Sequence, residues 1–166
     1  SYTVPIGKTL YVTSAFSSWS PISITTDNGF TAQIIHFAQF HSNSRGHKSL
    51  HNPIILSEGQ IISGGYETSI NGFLVNSGVT SITWTDSTYQ VPVGKRLYIT
   101  NHTDGHLYID SIKMAFDEDD IFLGHPIIVN PNQMVNTDGG CFNGYLVDEN
   151  YFAGCGGGGG GGSSST

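Results

Sequence analysis

The sequence predicts an all-β protein made of two tandem homologous antiparallel β-sandwich or jelly-roll-like units, followed by a glycine-rich C-terminal tail. Short β-branched and aromatic runs recur at close intervals, with turn residues between them. No long stretch has helical spacing without a glycine or proline inside it. Three sequence blocks also return in the same order, which indicates an internal duplication.

The first repeated block is TVPIGKTLYVT at residues 3–13, which returns as QVPVGKRLYIT at residues 90–100. Its Gly-Lys-Thr resembles the end of a phosphate-binding loop, but that loop needs an earlier glycine where this chain has Tyr2 and Tyr89. Arg96 also replaces Thr9, whose hydroxyl would hold magnesium. Because a strand-like run follows, both blocks are interpreted as a Pro-Gly turn that leads into a strand.

Two further blocks complete the duplication. NPIILSEGQII at residues 52–62 is matched by HPIIVNPNQMV at residues 125–135, and INGFLVN at residues 70–76 by FNGYLVD at residues 142–148. The predicted organisation is a first β-sandwich repeat at 1–86, a second at 87–153 and a Gly/Ser-rich tail at 154–166. We expect Gly72 and Gly144 at equivalent sites.

The β-branched and aromatic runs place the strands. In the first unit they are predicted at residues 10–15, 22–26, 31–37, 54–56, 60–63 and 70–75. A second set is predicted at residues 80–84, 96–101, 107–112, 127–129, 133–135 and 142–147. Asn28-Gly29 predicts a tight hairpin turn. The first copy is longer than the second around residues 38–50, AQFHSNSRGHKSL, which predicts a long polar loop.

Composition limits the class of protein. Of 166 residues only 11% are charged, against about 25% in an ordinary soluble domain. This balance predicts an extracellular or virion protein. The formal net charge of −7 argues against nucleic acid as a partner. No apolar run approaches the roughly 20 residues of a membrane helix, so we expect no membrane insertion.

The repeated pattern tVPxGKxLYIT … xPIIlxxGqxv … fNGYLVd resembles small β-rich repeats in secreted, fibre-like or tail-fibre-like proteins of Bacteroidetes bacteria and their phages. The resemblance covers residues 2–150. It implies an appendage, adhesion or tail-fibre-like role and brings no catalytic residue with it. The long insertion in the first copy and the glycine-rich tail depart from this pattern.

Two histidine pairs have the i, i+4 spacing that binds zinc on a helix: His47 with His51, and His102 with His106. Neither stretch reads as a helix, so these side chains are interpreted as surface or loop histidines.

An acidic run is a second metal candidate. Calcium takes oxygen ligands, often from neighbouring loop carboxylates. The alternative is a solvated acidic loop that discourages edge pairing, and the absence of EF-hand spacing favours it. The residues are Asp117, Glu118, Asp119 and Asp120. The sequence suggests no cofactor other than calcium.

Neither a G-x-S-x-G nucleophile motif nor an isolated Cys–His pattern occurs, so we expect no enzyme. The expected role is a self-assembling structural subunit, and the alternative is a glycan-binding adhesin or receptor-binding module for cell-surface glycans. Four aromatic side chains could stack on sugars or, alternatively, fill a core or a subunit interface. They are Trp19, Tyr66, Trp84 and Tyr151.

The two cysteines, Cys141 and Cys155, stand symmetrically about Asp148. If the segment between them folds back as a hairpin, the two would face each other at the spacing of a disulfide. If it stays extended, they would be free or linked to another subunit.

The tail predicts an assembly contact. Polyglycine costs more backbone entropy to order than any other sequence, but it lets backbones approach closely. We therefore expect residues 156–166 to lie between subunits of a trimeric fibre or a longer filament; the alternatives are a flexible coil and an engineered linker. The glycines are Gly156, Gly157, Gly158, Gly159, Gly160, Gly161 and Gly162.

Overall fold

The computed structural model describes residues 1–18, 20–26, 28–35, 45–65, 67–85, 87–103, 105–117 and 123–151. Throughout these ranges the regular structure is β, which confirms the predicted all-β class. They contain no helix long and apolar enough to cross a membrane.

Fifteen strands run through the described residues. The first seven are β1 (Tyr2–Thr3), β2 (Lys8–Ser18), β3 (Ile22–Thr25), β4 (Thr31–Ile35), β5 (Arg45–Ser57), β6 (Ile61–Ser63) and β7 (Ser69–Asn76). The other eight are β8 (Thr80–Thr85), β9 (Thr88–Gln90), β10 (Lys95–Thr103), β11 (Gly105–Ile109), β12 (Ile112–Asp117), β13 (Ile127–Val129), β14 (Met134–Asp138) and β15 (Cys141–Asp148). We call β1–β7 the first unit and β8–β15 the second unit.

The two units share one strand order. In the first unit a sheet β1-β6-β3-β4 accompanies a sheet β5-β2-β7. In the second unit a sheet β9-β14-β11-β12 accompanies a sheet β13-β10-β15-β8. Apart from β8, each second-unit strand occupies the place of a first-unit strand, and all pairings are antiparallel. The structure thus confirms two homologous β-sandwich-like units.

The repeat extends to irregularities in the pairing. The pairing of β2 with β7 skips Thr13, and the pairing of β10 with β15 skips Thr100 at the same place. The hydroxyl of Thr13 donates to the carbonyl oxygen of Asn71 at 3.2 Å, and that of Thr100 to the carbonyl oxygen of Asn143 at 3.1 Å. Because β-bulges fix register, residues at matching places in the two ladders can be compared directly. We call such residues counterparts.

The duplicated Gly-Lys motif closes a turn. Gly7 and Gly94 have φ values of 72° and 73°, in the left-handed region that glycine adopts most readily. The following lysines, Lys8 and Lys95, donate to side-chain oxygens at the ends of β7 and β15, at 2.8 Å and 2.6 Å respectively. The motif therefore joins the start of one strand to the end of its neighbour.

Each unit has its own apolar core. The core of the first unit draws on both its sheets and includes Ile22, Ile24 and Ile54, all inaccessible to solvent. The core of the second unit is built around Phe142, which is also inaccessible. One residue crosses between the units, because Cys141 lies on β15 but packs in the first core.

The predicted polar loop at 38–50 was wrong for residues 45–50, which belong to β5. The reason is that β2 continues past its bulge to Ser18, and β5 pairs with it up to Arg45. Pairing with the long strand β2 thus keeps this polar segment in a β conformation. The rest of the predicted loop lies outside the described residues.

The predicted single strand at 107–112 was also wrong, because it contains a turn. Asp110 and Ser111 have φ values of 46° and 69°, and they join β11 to β12 as a two-residue hairpin loop. No glycine marks this turn in the sequence. The hairpin predicted at Asn28-Gly29 is confirmed, since β3 and β4 pair antiparallel around it and Gly29 has a φ of 81°.

Candidate interaction surfaces

An asparagine side chain joins the two units. Asn143 on β15 is inaccessible to solvent, and it meets the outer edge of β5. Its amide oxygen accepts from the backbone N–H of Ile55 at 2.8 Å, while its amide nitrogen donates to the Ile55 carbonyl oxygen at 2.9 Å. The same nitrogen lies 2.9 Å from the hydroxyl oxygen of Thr83 on β8. One side-chain amide therefore satisfies both backbone hydrogen-bonding groups of Ile55, as a neighbouring strand would.

Serines extend this junction along β5. The backbone N–H of Ser57 donates to the Ser81 hydroxyl oxygen at 2.8 Å, and the backbone N–H of Ser81 donates to the Ser57 hydroxyl oxygen at 2.8 Å. The Ser81 hydroxyl also donates to the side-chain oxygen of Gln60 at 2.6 Å. Further along, the amide nitrogen of Asn101 donates to the carbonyl oxygen of Pro53 at 3.0 Å. Polar side chains of the second unit thus satisfy an edge of the first.

The edge of β4 meets the second unit in the same way. The hydroxyl of Thr103 donates to the carbonyl oxygen of Ile34 at 2.7 Å, and the thiol of Cys141 donates to that of Gln33 at 2.8 Å. Strand β4 lies against β8, β10 and β15. Both edges that the first unit turns toward the second are therefore covered.

The edge of β5 packs on one side of β15, and the corresponding side of β7 in the first unit is exposed. On β15 the side chains that share the side of Asn143 are buried or half-buried: Asn143 is inaccessible, Val147 is 5% exposed, and Tyr145 between them is half-buried. Their counterparts on β7, Asn71 and Val75, are exposed, Val75 to 37%. Phe73 between them is 52% exposed. We call these three residues of β7 the acceptor face.

The second unit exposes the counterparts of the edges that are buried in the first. Ile55 on β5 is 1% exposed, whereas its counterpart Ile128 on β13 is 54% exposed. On β4, Ile34 is 3% exposed, whereas its counterpart Met114 on β12 is 48% exposed. Ile112, on the same side of β12 as Met114, is 66% exposed. We call Ile112, Met114 and Ile128 the donor face.

Aromatic pairs lie beside both faces. Tyr11 stacks on Phe73 with ring centres 5.3 Å apart, and their counterparts Tyr98 and Tyr145 stack at 5.2 Å. Burial raises the pKa of Tyr145, and the nearby phenols of Tyr98, Tyr11 and Tyr151 raise it further. Burial also raises the pKa of Tyr11. These rings therefore form a partly dehydrated aromatic surface.

A small cavity of about 240 Å³ lies between the units. Phe30 and Trp84 form its aromatic wall, with ring centres 6.3 Å apart and planes inclined by 30°. Polar side chains, among them Asn28 and Gln60, line the rest. The buried indole N–H of Trp84 finds no hydrogen-bond acceptor in the part of the chain that the structure describes. The cavity combines a stacking wall with groups that bind hydroxyls.

The candidates predicted from the sequence lie apart. Trp84 is half-buried at the cavity, where it also packs edge-on against Tyr89, and Tyr151 is 54% exposed after β15. Cys141 is buried at the junction. Outside the described residues are Trp19, Tyr66, Glu118, Asp119, Asp120, Cys155 and the run Gly156 to Gly162, together with the side chain of Asp117.

The interpretation of His102 as a surface or loop histidine was wrong, because a strand places its side chain in the interior. His102 is buried on β10, and His106 stacks against Tyr108 at 5.8 Å on β11. Within the described ranges, no group of three or more His, Cys, Asp or Glu side chains is placed to hold a metal ion. The side chains of His47 and His51 lie outside the description.

Sequence reasoning missed the role of the Asn-Gly pair in the third block. Gly144 lies where a Cβ atom would come within 2.2 Å of the carbonyl oxygen of Tyr98, and Gly72 has the same relation to Tyr11. These glycines keep the strands close beside the bulges and leave the adjacent asparagine facing outward. The sequence signal for this role was the asparagine that stands next to a mid-strand glycine in both copies.

No protein-family model, curated protein or solved structure matches this chain. The resemblance to fibre-like repeats therefore stays a hypothesis, and the functional argument depends on the surfaces described above.

Proposed function

We propose that this protein is a non-enzymatic structural subunit of an extracellular filament, fibre or virion appendage, and that it assembles with itself. The observation that carries the proposal is a pair of exposed surfaces, the acceptor face and the donor face. The acceptor face of the first unit and the donor face of the second are exposed, whereas their counterparts inside the chain are buried or, for Tyr145, half-buried. The low content of charged residues supports an extracellular setting.

Exposed sheet edges favour association. Within the described residues, β7 pairs with β2 alone and β13 with β10 alone, so each presents an open edge. Open edges with exposed apolar side chains are templates for pairing with another chain. Clustered exposed apolar side chains also mark interaction sites on soluble proteins. Both features support self-association rather than catalysis.

The first experiment measures the mass of the full chain. Light scattering coupled to size-exclusion chromatography over a concentration series should show a mass that rises with concentration, and negative-stain imaging should show regular oligomers. A constant monomer mass at every attainable concentration, with no particles larger than a monomer, would contradict the proposal.

The cavity beside Trp84 favours a second candidate function, glycan binding by an adhesin or receptor-binding module. An aromatic wall and convergent polar groups are the features that orient a sugar. Titration of a monosaccharide panel, followed by NMR, should then shift the indole N–H signal of Trp84. The variant Phe30→Leu, which removes the second ring, should weaken binding, whereas Tyr151→Ala away from the cavity should not. An unchanged spectrum with every sugar would count against this function.

A further inference from the structure

We infer that copies of this chain associate head to tail, with the donor face of one copy docked on the acceptor face of the next. Within a chain, the first unit docks on the second unit. Between chains, the second unit of one copy docks in the same way on the first unit of its neighbour. This inference rests on the proposed self-assembly and names its partner, a second copy of this chain. It also fixes which surfaces meet.

The acceptor side carries the group that makes the internal junction. Asn71 and Asn143 occupy the same place in their ladders, one residue before the glycine that abuts the neighbouring strand. Asn143 satisfies the N–H and the carbonyl oxygen of Ile55 inside the chain. Asn71 is exposed. In the head-to-tail contact its amide binds the backbone N–H and carbonyl oxygen of Ile128 of the second copy.

The donor side carries the matching edge. Ile128 is opposite Tyr98, as Ile55 is opposite Tyr11, so its N–H and carbonyl point away from β10 as those of Ile55 point away from β2. The side chains that the contact would cover are the exposed Ile112, Met114 and Ile128. Of their first-unit counterparts, Ile55 is buried at the junction with the second unit, whereas Ala32 and Ile34 are buried in the first-unit core.

The contact is heterologous, because two different surfaces meet and each copy retains one of each. Repetition of such a contact produces a ring if the rotation closes and a filament if it does not. A symmetric dimer, in which the same patch meets itself, is a different arrangement.

Two single variants test this geometry. Asn71→Asp keeps the shape of the acceptor side chain but removes the donor to the Ile128 carbonyl, and Ile128→Asp places a charge on the donor face. Both positions are exposed, so each variant should fold. Each alone should associate at least about 100-fold more weakly than the unmodified chain, because Asn71→Asp sets a carboxylate against the Ile128 carbonyl oxygen and Ile128→Asp buries an unpaired charge in the contact. Val93→Asp, at a 79% exposed turn residue outside both faces, is the matched control and should assemble normally.

The decisive measurement is a mixture. The Asn71→Asp copy keeps an intact donor face and the Ile128→Asp copy an intact acceptor face, so an equimolar mixture should stop at heterodimers by light scattering. If Ile128→Asp fails to fold by circular dichroism, Ile112→Asp replaces it. A mixture that remains monomeric, or single variants that assemble like the control, overturns the inference while self-assembly stands. An unmodified chain that is monomeric at every concentration overturns both.

Discussion

Replacement of Asn143 by alanine measures what the amide contributes to the junction. The substitution removes both hydrogen bonds to Ile55 and leaves its backbone N–H and carbonyl buried without a partner. Each orphaned group costs about 1–3 kcal/mol, so the free energy of unfolding should fall by about 2–6 kcal/mol. Asn71→Ala, the exposed counterpart, should change it by less than about 0.5 kcal/mol.

Urea unfolding at low protein concentration makes the comparison, because dilution keeps association out of the measured stability. With a slope of about 2 kcal/mol/M, the expected loss moves the midpoint by about 1–3 M. The slope itself should stay constant, which shows that the change lies in stability. A midpoint shift for Asn143→Ala no larger than that of Asn71→Ala would refute the account of the junction.

Three further predictions address the strands, the tyrosines and the tail. Gly144→Ala should lower stability by about 1–3 kcal/mol, because its Cβ would lie 2.2 Å from the Tyr98 carbonyl oxygen, whereas Gly78→Ala, with 4.0 Å of clearance, should not. The raised pKa of Tyr145 favours its neutral form in the folded state, so its contribution is fully present below pH 10.0 and is lost as pH rises through the raised value. Ultraviolet titration should show this phenol ionising at a higher pH in the native than in the unfolded chain; coincident titration curves would contradict the prediction. Deletion of residues 156–166 should leave a folded protein that dissociates, and unchanged assembly by light scattering would show the tail to be a bystander.

Much of the fold could be predicted because the duplicated blocks carry backbone requirements. Gly7 and Gly94 mark turns with positive φ, and Gly72 and Gly144 mark close strand contacts. Such requirements depend on local geometry and are therefore visible in the residue letters. The turn at Asp110 escaped prediction because it adopts positive φ without glycine.

The interaction surfaces could not be predicted, because burial at matching positions depends on neighbours far away in sequence. Asn71 and Asn143 have the same side chain and the same local sequence context, yet one is exposed and the other inaccessible. What separates them is that β5 and β8 cover β15, whereas no described strand covers the corresponding side of β7. A pattern within one block cannot show which copy is covered.

The two open edges differ in how they resist unwanted pairing, and that difference favours a specific partner. Strand β13 is only three residues long and is bracketed by Pro126 and Pro131. Proline cannot donate to a ladder, so a free strand gains little by adding there, whereas one amide can still bind the central Ile128. Strand β7 has no such protection, since its eight residues contain neither charge nor proline. An edge of this kind is an aggregation hazard unless something covers it. A second copy that docks its short β13 edge on Asn71 covers exposed side chains of β7, and the prolines beside β13 limit pairing to that contact.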